Sequence, residues 1–198
     1  MHVIILGGFL GSGKTTSLLS LARYLVANST TDSPNKVAIL ENEIGEVGID
    51  DKVLLSSGFS VSNLFAGCAC CTVSGEFSEA TRKIQKELNP EWLIIETTGI
   101  AYPESMRDTL IGNLGITARI LVIVDAKRWS RLLAAMGSLI EAQIVGSTAV
   151  LINKCDLADE YTLSAIEADI LRIEPAAKLL RITAKNGIAD SIWQQATT

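Results

Sequence analysis

The chain has 198 residues and a net charge of −5, with 48% hydrophobic against 20% charged residues. That length and composition suit one folded domain with a substantial core and exclude an intrinsically disordered chain. The acidic balance, with a pI near 5.0, argues against a broad nucleic-acid footprint, and no apolar run reaches the length of a membrane span.

The chain opens on MHVIILGG, apolar from Val3 to Leu6. It has neither a basic leading region nor a small-residue cleavage site, so it reads as a buried strand, and the protein is expected in the cytoplasm. Strands are predicted near His2–Leu6, Val37–Leu40, Val61–Phe65, Trp92–Ile95, Arg119–Val124, Ala149–Ile152 and Leu179–Ile182. Helices are predicted near Lys14–Asn28, Glu76–Leu88, Pro103–Leu110, Ser130–Val145, Thr162–Ile173 and Ser191–Gln195. Continuous apolar runs such as VIIL, WLII and ILVIV suit a sheet covered on both faces. Their alternation with helices predicts an α/β fold, a doubly wound and mostly parallel sheet flanked by helices.

Residues Gly8-Phe9-Leu10-Gly11-Ser12-Gly13-Lys14-Thr15 satisfy G-x-x-x-x-G-K-[ST], between an apolar strand and a helical pattern. Glycines let backbone N–H groups turn inward around phosphates, and the helix N-terminus adds unpaired donors and its dipole. Lys14 is expected on the β- and γ-phosphates and the Thr15 hydroxyl on Mg²⁺, which makes the fold a P-loop NTPase. Asn153-Lys154-Cys155-Asp156 is an N-K-x-D sequence behind a late strand. A carboxylate at Asp156 can accept from guanine N1–H and the exocyclic amine, a donor pair that adenine lacks, so GTP is the expected nucleotide. Lys154 can lie along the base and brace the phosphate loop. Ala184 and Lys185, in Thr183-Ala184-Lys185, are similar to the element by which many GTPases meet the guanine oxygen through backbone. Glu96-Thr97-Thr98-Gly99 ends another strand: Glu96 is expected to hold Mg²⁺ through water, and the Gly99 amide to bond the γ-phosphate.

There are four cysteines, three of them in Cys68-Ala69-Cys70-Cys71 and one, Cys155, apart. In a reducing compartment such a cluster points to metal binding; redox chemistry and inert packing are the alternatives. Two thiolates spaced C-x-C can share a soft or borderline cation, with Cys71 or another group as a further ligand. His2 is the one histidine of the chain, so carboxylate, water or a partner's side chain would complete the set. The acid- and glycine-rich stretch from Glu41 to Asp50 reads as a solvated loop or as a switch whose glycines permit rearrangement.

GGFLGSGKTT, ENEIGEVGID, GCACCTV, ETTG and NKCD, in this order, resemble the CobW-type GTPases, relatives of UreG and HypB. The resemblance covers nearly the whole chain and implies a SIMIBI-class fold, Mg²⁺ and GTP as cofactors, slow hydrolysis, and a Zn²⁺ or Co²⁺ site. By that resemblance, Gly11, Gly13, Lys14, Thr15 and Thr16 hold phosphate and Mg²⁺. Glu43 belongs to the switch near the catalytic water, Glu96 to the Mg²⁺ shell, and Cys68, Cys70 and Cys71 to the transported metal. Residues 1–198 read as one GTPase domain without the C-terminal domain that many family members carry. The expected role is a metallochaperone that hands its metal to a metalloenzyme or cobalamin-pathway client, with a homodimer as one arrangement. The other role left open is a nucleotide-gated activator of a metallo- or corrinoid enzyme, without metal cargo.

Overall fold

Alternate residues of the first strand feed two separate cores. In β1 (His2–Gly7), Val3 and Ile5 pack into one apolar cluster, and Ile4 and Leu6 into the other. A strand buried on both faces explains why its sequence is continuously apolar and not alternating. The coordinates, a computed structural model, describe residues 1–30, 35–41, 59–63 and 73–198.

Seven strands form one sheet in the order β3-β2-β4-β1-β5-β6-β7, and every neighbouring pair runs parallel. The remaining strands are β2 (Val37–Glu41), β3 (Phe59–Asn63), β4 (Trp92–Glu96), β5 (Ala118–Asp125), β6 (Ala149–Asn153) and β7 (Lys178–Arg181). The helices are α1 (Lys14–Ala27), α2 (Val73–Glu87), α3 (Pro103–Leu114), α4 (Trp129–Ile144), α5 (Glu160–Ile173) and α6 (Asp190–Thr197). Helices α1 and α6 cover one face through Leu18, Leu21, Leu25 and Trp193, a spacing of three and four residues that sets one stripe of α1 inward. Helices α2 to α5 cover the other through Phe77, Leu110, Ile140 and Ile166. The sheet is thus doubly wound, as the strand–helix alternation requires.

Most predicted boundaries agree within a residue or two; α2 begins at Val73, three residues before the predicted Glu76, and other differences have local causes. β3 begins at Phe59, two residues before the predicted Val61; the predicted continuation through Leu64 and Phe65 lies outside the described residues. α3 runs to Leu114, four residues past the prediction, because Gly115 supplies the left-handed turn (φ 66°) that closes it. α5 begins at Glu160 because the Asp159 carboxylate accepts the Thr162 N–H at 2.8 Å. No helix among the described residues is long and apolar enough to cross a membrane.

Candidate nucleotide site

Parallel register delivers the site's residues to one edge of the sheet. Leu6 pairs with Glu96, Glu41 with Glu96, and Asp125 with Asn153, so the carboxyl ends of β1, β2, β4, β5 and β6 lie side by side. Ligands of open α/β sheets bind at this edge.

The loop between β1 and α1 has the shape its glycines demand. Gly13, at φ 103°, occupies the N-cap of α1, and a Cβ there would run into the Asn153 side-chain amide. Lys14 begins the helix and is buried, while Thr15 and Thr16 are exposed on its first turn. The first turn of α1 carries no acidic residue of its own, so no carboxylate from that turn opposes an anion at its positive dipole end. The Ser12 hydroxyl is buried without a hydrogen-bond partner among the described residues, an arrangement that asks for a further polar group beside the loop.

Thr15 Oγ1 donates to Glu96 Oε1 at 3.4 Å, joining residues 81 positions apart. Glu96 is buried at the end of β4. A hydroxyl beside a buried carboxylate at a helix N-terminus is an oxygen donor set that suits Mg²⁺ together with phosphate. Gly99, three residues beyond Glu96, is buried, and a Cβ on it would lie 2.8 Å from the Leu10 backbone N. The ETTG segment is thereby pressed directly onto the phosphate loop, as close an approach as glycine alone permits.

The N-K-x-D segment is bonded to the same loop. Asn153, buried at the end of β6, donates from Nδ2 to the Ser12 carbonyl at 2.8 Å. Its Oδ1 accepts the Lys154 and Ala184 N–H groups at 2.8 and 2.9 Å. One side chain therefore holds the phosphate loop, the N-K-x-D turn and the Thr183–Lys185 turn together. The Ala184 N–H, expected at the guanine oxygen, is here engaged with Asn153. Asp156 is exposed and paired with Lys185, and that hydrogen bond holds its carboxyl below the usual carboxylate range. Lys154 has a left-handed backbone (φ 64°), and its ammonium donates to the Gly11 carbonyl at 2.8 Å.

Sequence reasoning missed Asp125 and Arg128. Asp125 ends β5 with its side chain 1% exposed, and it accepts from Lys154 Nζ and Arg128 Nε, each at 2.7 Å. Burial pushes its carboxyl up, but the two cations outweigh burial and leave it below the ordinary value. Arg128 donates from Nη2 to the Leu10 carbonyl at 2.7 Å. Two cations thus grip successive carbonyls of the phosphate loop, and one buried carboxylate holds both cations. The available signal was the acid ending an apolar strand at Val-Asp125, the same pattern that marked Glu96.

Cys155, inside N-K-x-D, is half-buried, and its thiol donates to the Ile152 carbonyl at 3.1 Å. Burial pushes this thiol up, which keeps it a poor nucleophile and metal ligand. His2 lies at the opposite, amino end of the sheet with its ring 4.7 Å from that of Trp92. Glu43, Cys68, Cys70 and Cys71 lie outside the described residues.

A model of the nucleotide-binding domain described as CobW/HypB/UreG matches residues 2–181. The chain belongs to the CobW/HypB/UreG family. Among relatives, it is 30% identical over 224 residues to the zinc-regulated GTPase metalloprotein activator 1 of Dictyostelium discoideum, covering 92% of this chain and 46% of that protein. It is 28% identical over 191 residues to the zinc chaperone YjiA of Escherichia coli, covering 91% of this chain and 57% of that one. The chain spans about half the length of these curated relatives. In fold, it is similar to Zn(II)-bound YjiA GTPase from E. coli at a TM-score of 0.69 and 22% identity, over 100% of this chain and 63% of that one. The hydrogenase maturation factor HypB of Archaeoglobus fulgidus follows at 0.68 and 18% identity, over 98% and 86%. The architecture of this CobW/HypB/UreG domain is that of a P-loop GTPase.

Proposed function

We propose that this protein is a GTP-hydrolysing metallochaperone whose metal site forms in one nucleotide state and dissolves in the other. The observation that carries the nucleotide half is the bonding of Asn153 and Lys154 to the Ser12 and Gly11 carbonyls. It ties the N-K-x-D turn to the glycine-rich loop, which supports reading the two as parts of one nucleotide site. Lys14 and the glycine-lined loop take the β- and γ-phosphates, and Asp156 reads the base edge. Thr15 and Glu96 would hold Mg²⁺, which when bound neutralises charge developing on the phosphates. Glu43 is assigned to the switch beside the attacking water.

Replacing Thr15 with Ala removes one oxygen donor and leaves the loop backbone as it is. The expected result is GDP affinity measured without metal within about twofold of wild type, with the Mg²⁺-dependent gain in GTP affinity reduced about tenfold or more. Fluorescent-nucleotide titration with and without Mg²⁺ checks it.

The cargo half of the reading rests on family membership and on Cys68-Ala69-Cys70-Cys71. Relatives carry the names zinc chaperone and zinc-regulated GTPase metalloprotein activator, and C-x-C-C thiolates suit Zn²⁺ or Co²⁺. The metal passes to a metalloenzyme or cobalamin-pathway client, and the cytoplasm supplies the reducing conditions that free thiols require. A competition titration of Zn²⁺ tests the coupling. Binding about tenfold tighter with a non-hydrolysable GTP analogue than with GDP is expected, a coupling of about 1.4 kcal/mol. Equal affinities overturn it. The second reading, a nucleotide-gated activator without metal cargo, shares the word activator with the name of the Dictyostelium relative. Under it, replacing Cys68, Cys70 and Cys71 with Ser leaves client activation intact.

A further inference from the structure

The sheet-to-helix packing on the α4 side contains one buried amide that the nucleotide-binding reading does not use. Gln143 lies in the last turn of α4, 2% exposed, among Phe9, Trp129, Ile140 and Ile144. Its Nε2 donates to the Gly99 carbonyl at 2.8 Å, across 44 residues of sequence. A long amide in an apolar layer is costly to bury unless it holds a partner, and this one holds a single backbone carbonyl.

The carbonyl it holds is distinctive. Gly99 sits against the Leu10 backbone so closely that a Cβ would lie 2.8 Å from Leu10 N and 3.1 Å from Leu10 Cα. The Gly99 N–H makes no hydrogen bond among the described residues. Gly99 is thus fixed from one side by the phosphate loop and from the other by Gln143, with its amide proton uncommitted. A glycine has the widest choice of backbone states, so an uncommitted N–H on glycine is well aimed only if its neighbours restrain it. α4 itself is divided: Met136 has non-helical angles (φ −143°, ψ 36°) and is exposed, so the segment carrying Gln143 is separated from the first turns of the helix by a break.

We infer that Gln143 is a positioning residue that, by holding the Gly99 carbonyl, keeps Gly99 against the phosphate loop, so that the C-terminal half of α4 senses whether a γ-phosphate occupies the Gly99 N–H. This rests on the GTP-binding reading above. GDP offers Gly99 no γ-phosphate, so the bond from Gln143 contributes to GTP affinity and not to GDP affinity.

The test is the ratio of affinities. Gln143→Met keeps the length and volume of the side chain and removes the donor. Titration of wild type and variant with fluorescent GDP and a non-hydrolysable GTP analogue, in Mg²⁺, is expected to show analogue affinity lowered about tenfold and GDP affinity changed less than about twofold. A merely structural role for Gln143 shifts both alike, and an unchanged or equally shifted pair overturns the inference. Hydrogen exchange on the unaltered protein is the second readout, and it stands even if the variant fails to fold. The turn of α4 around residues 140–145 is expected to gain protection with the GTP analogue relative to GDP, and equal protection overturns the proposal. If wild type binds neither nucleotide, the GTP-binding reading falls and this inference with it. Binding with no change on Gln143→Met sinks the inference alone.

Discussion

Asp156→Asn is expected to lower GTP affinity by about 100-fold and to admit xanthosine triphosphate in its place. The carboxylate has only acceptors, matched to the N1–H and 2-amino donors of guanine. An amide turns one acceptor into a donor. That donor opposes the guanine amine but suits the carbonyl that xanthine carries at the same carbon. Sites built to hydrogen-bond a donor pair discriminate by about 10⁴–10⁵ when fully buried. Asp156 is exposed and shares its charge with Lys185, so the smaller factor is expected here. Competitive displacement of a fluorescent nucleotide by GTP, ATP and xanthosine triphosphate measures it. Wild-type GTP affinity retained in the variant would remove Asp156 from base recognition. The pairing with Lys185 also makes a second point testable. Lys185→Ala leaves the carboxylate without its neighbouring cation and should weaken GTP binding far less than Asp156→Asn does.

Asp125→Asn has the largest expected effect on stability. Asp125 is nearly fully buried and anchors two cations that each grip a carbonyl of the phosphate loop. Breaking a buried ion pair costs about 3–5 kcal/mol. Lys154 and Arg128 are 34% and 35% exposed and can turn toward water, so about 2 kcal/mol is the expectation after that allowance. In a chain of this size that corresponds to a fall in Tm of about 4–8 °C. The pH dependence has a definite sign. A carboxyl held below its unfolded-state value stabilises the fold fully above about pH 4 and loses that contribution as pH falls through the lowered folded-state value. The gap between wild type and variant should therefore be widest near neutrality and close below about pH 4. Chemical unfolding at several pH values reads both the size and the slope. A constant gap across the acid range would mean that Asp125 acts through shape and not through charge. Because the same two cations brace Leu10 and Gly11, nucleotide affinity should fall together with stability.

The parts of the site that could be read from the residue order are those built over short distances along the chain. Gly8 to Thr15 spans one turn and one helix start, and its chemistry depends on which residues can adopt left-handed angles and which can donate to phosphate. Asn153-Lys154-Cys155-Asp156 is equally local. The apolar runs of β1, β4, β5 and β6 stated that both faces of the sheet would be covered, and they are. Boundaries moved where a single group outside the periodic pattern intervened, as with the Asp159 cap and the turn at Gly115.

Three contacts had no sequence signature. Arg128 reaches Leu10 across 118 positions, Lys154 reaches Asp125 across 29, and Gln143 reaches Gly99 across 44. Nothing in the residue order distinguishes Gln143 from any other polar residue on an amphipathic helix, or Arg128 from a solvated charge. Their roles arise because parallel pairing sets the ends of β1, β4, β5 and β6 side by side, and the loops that follow those ends then share one small volume. Residue order alone determined which groups are proposed for chemistry: a glycine-rich loop for phosphate, a carboxylate for guanine and a Cys-x-Cys-Cys segment for metal. The tertiary structure decided which groups restrain the cradle, because a buried donor or charge must find its partner among whatever the sheet brings near, and that choice is made in space and not along the chain.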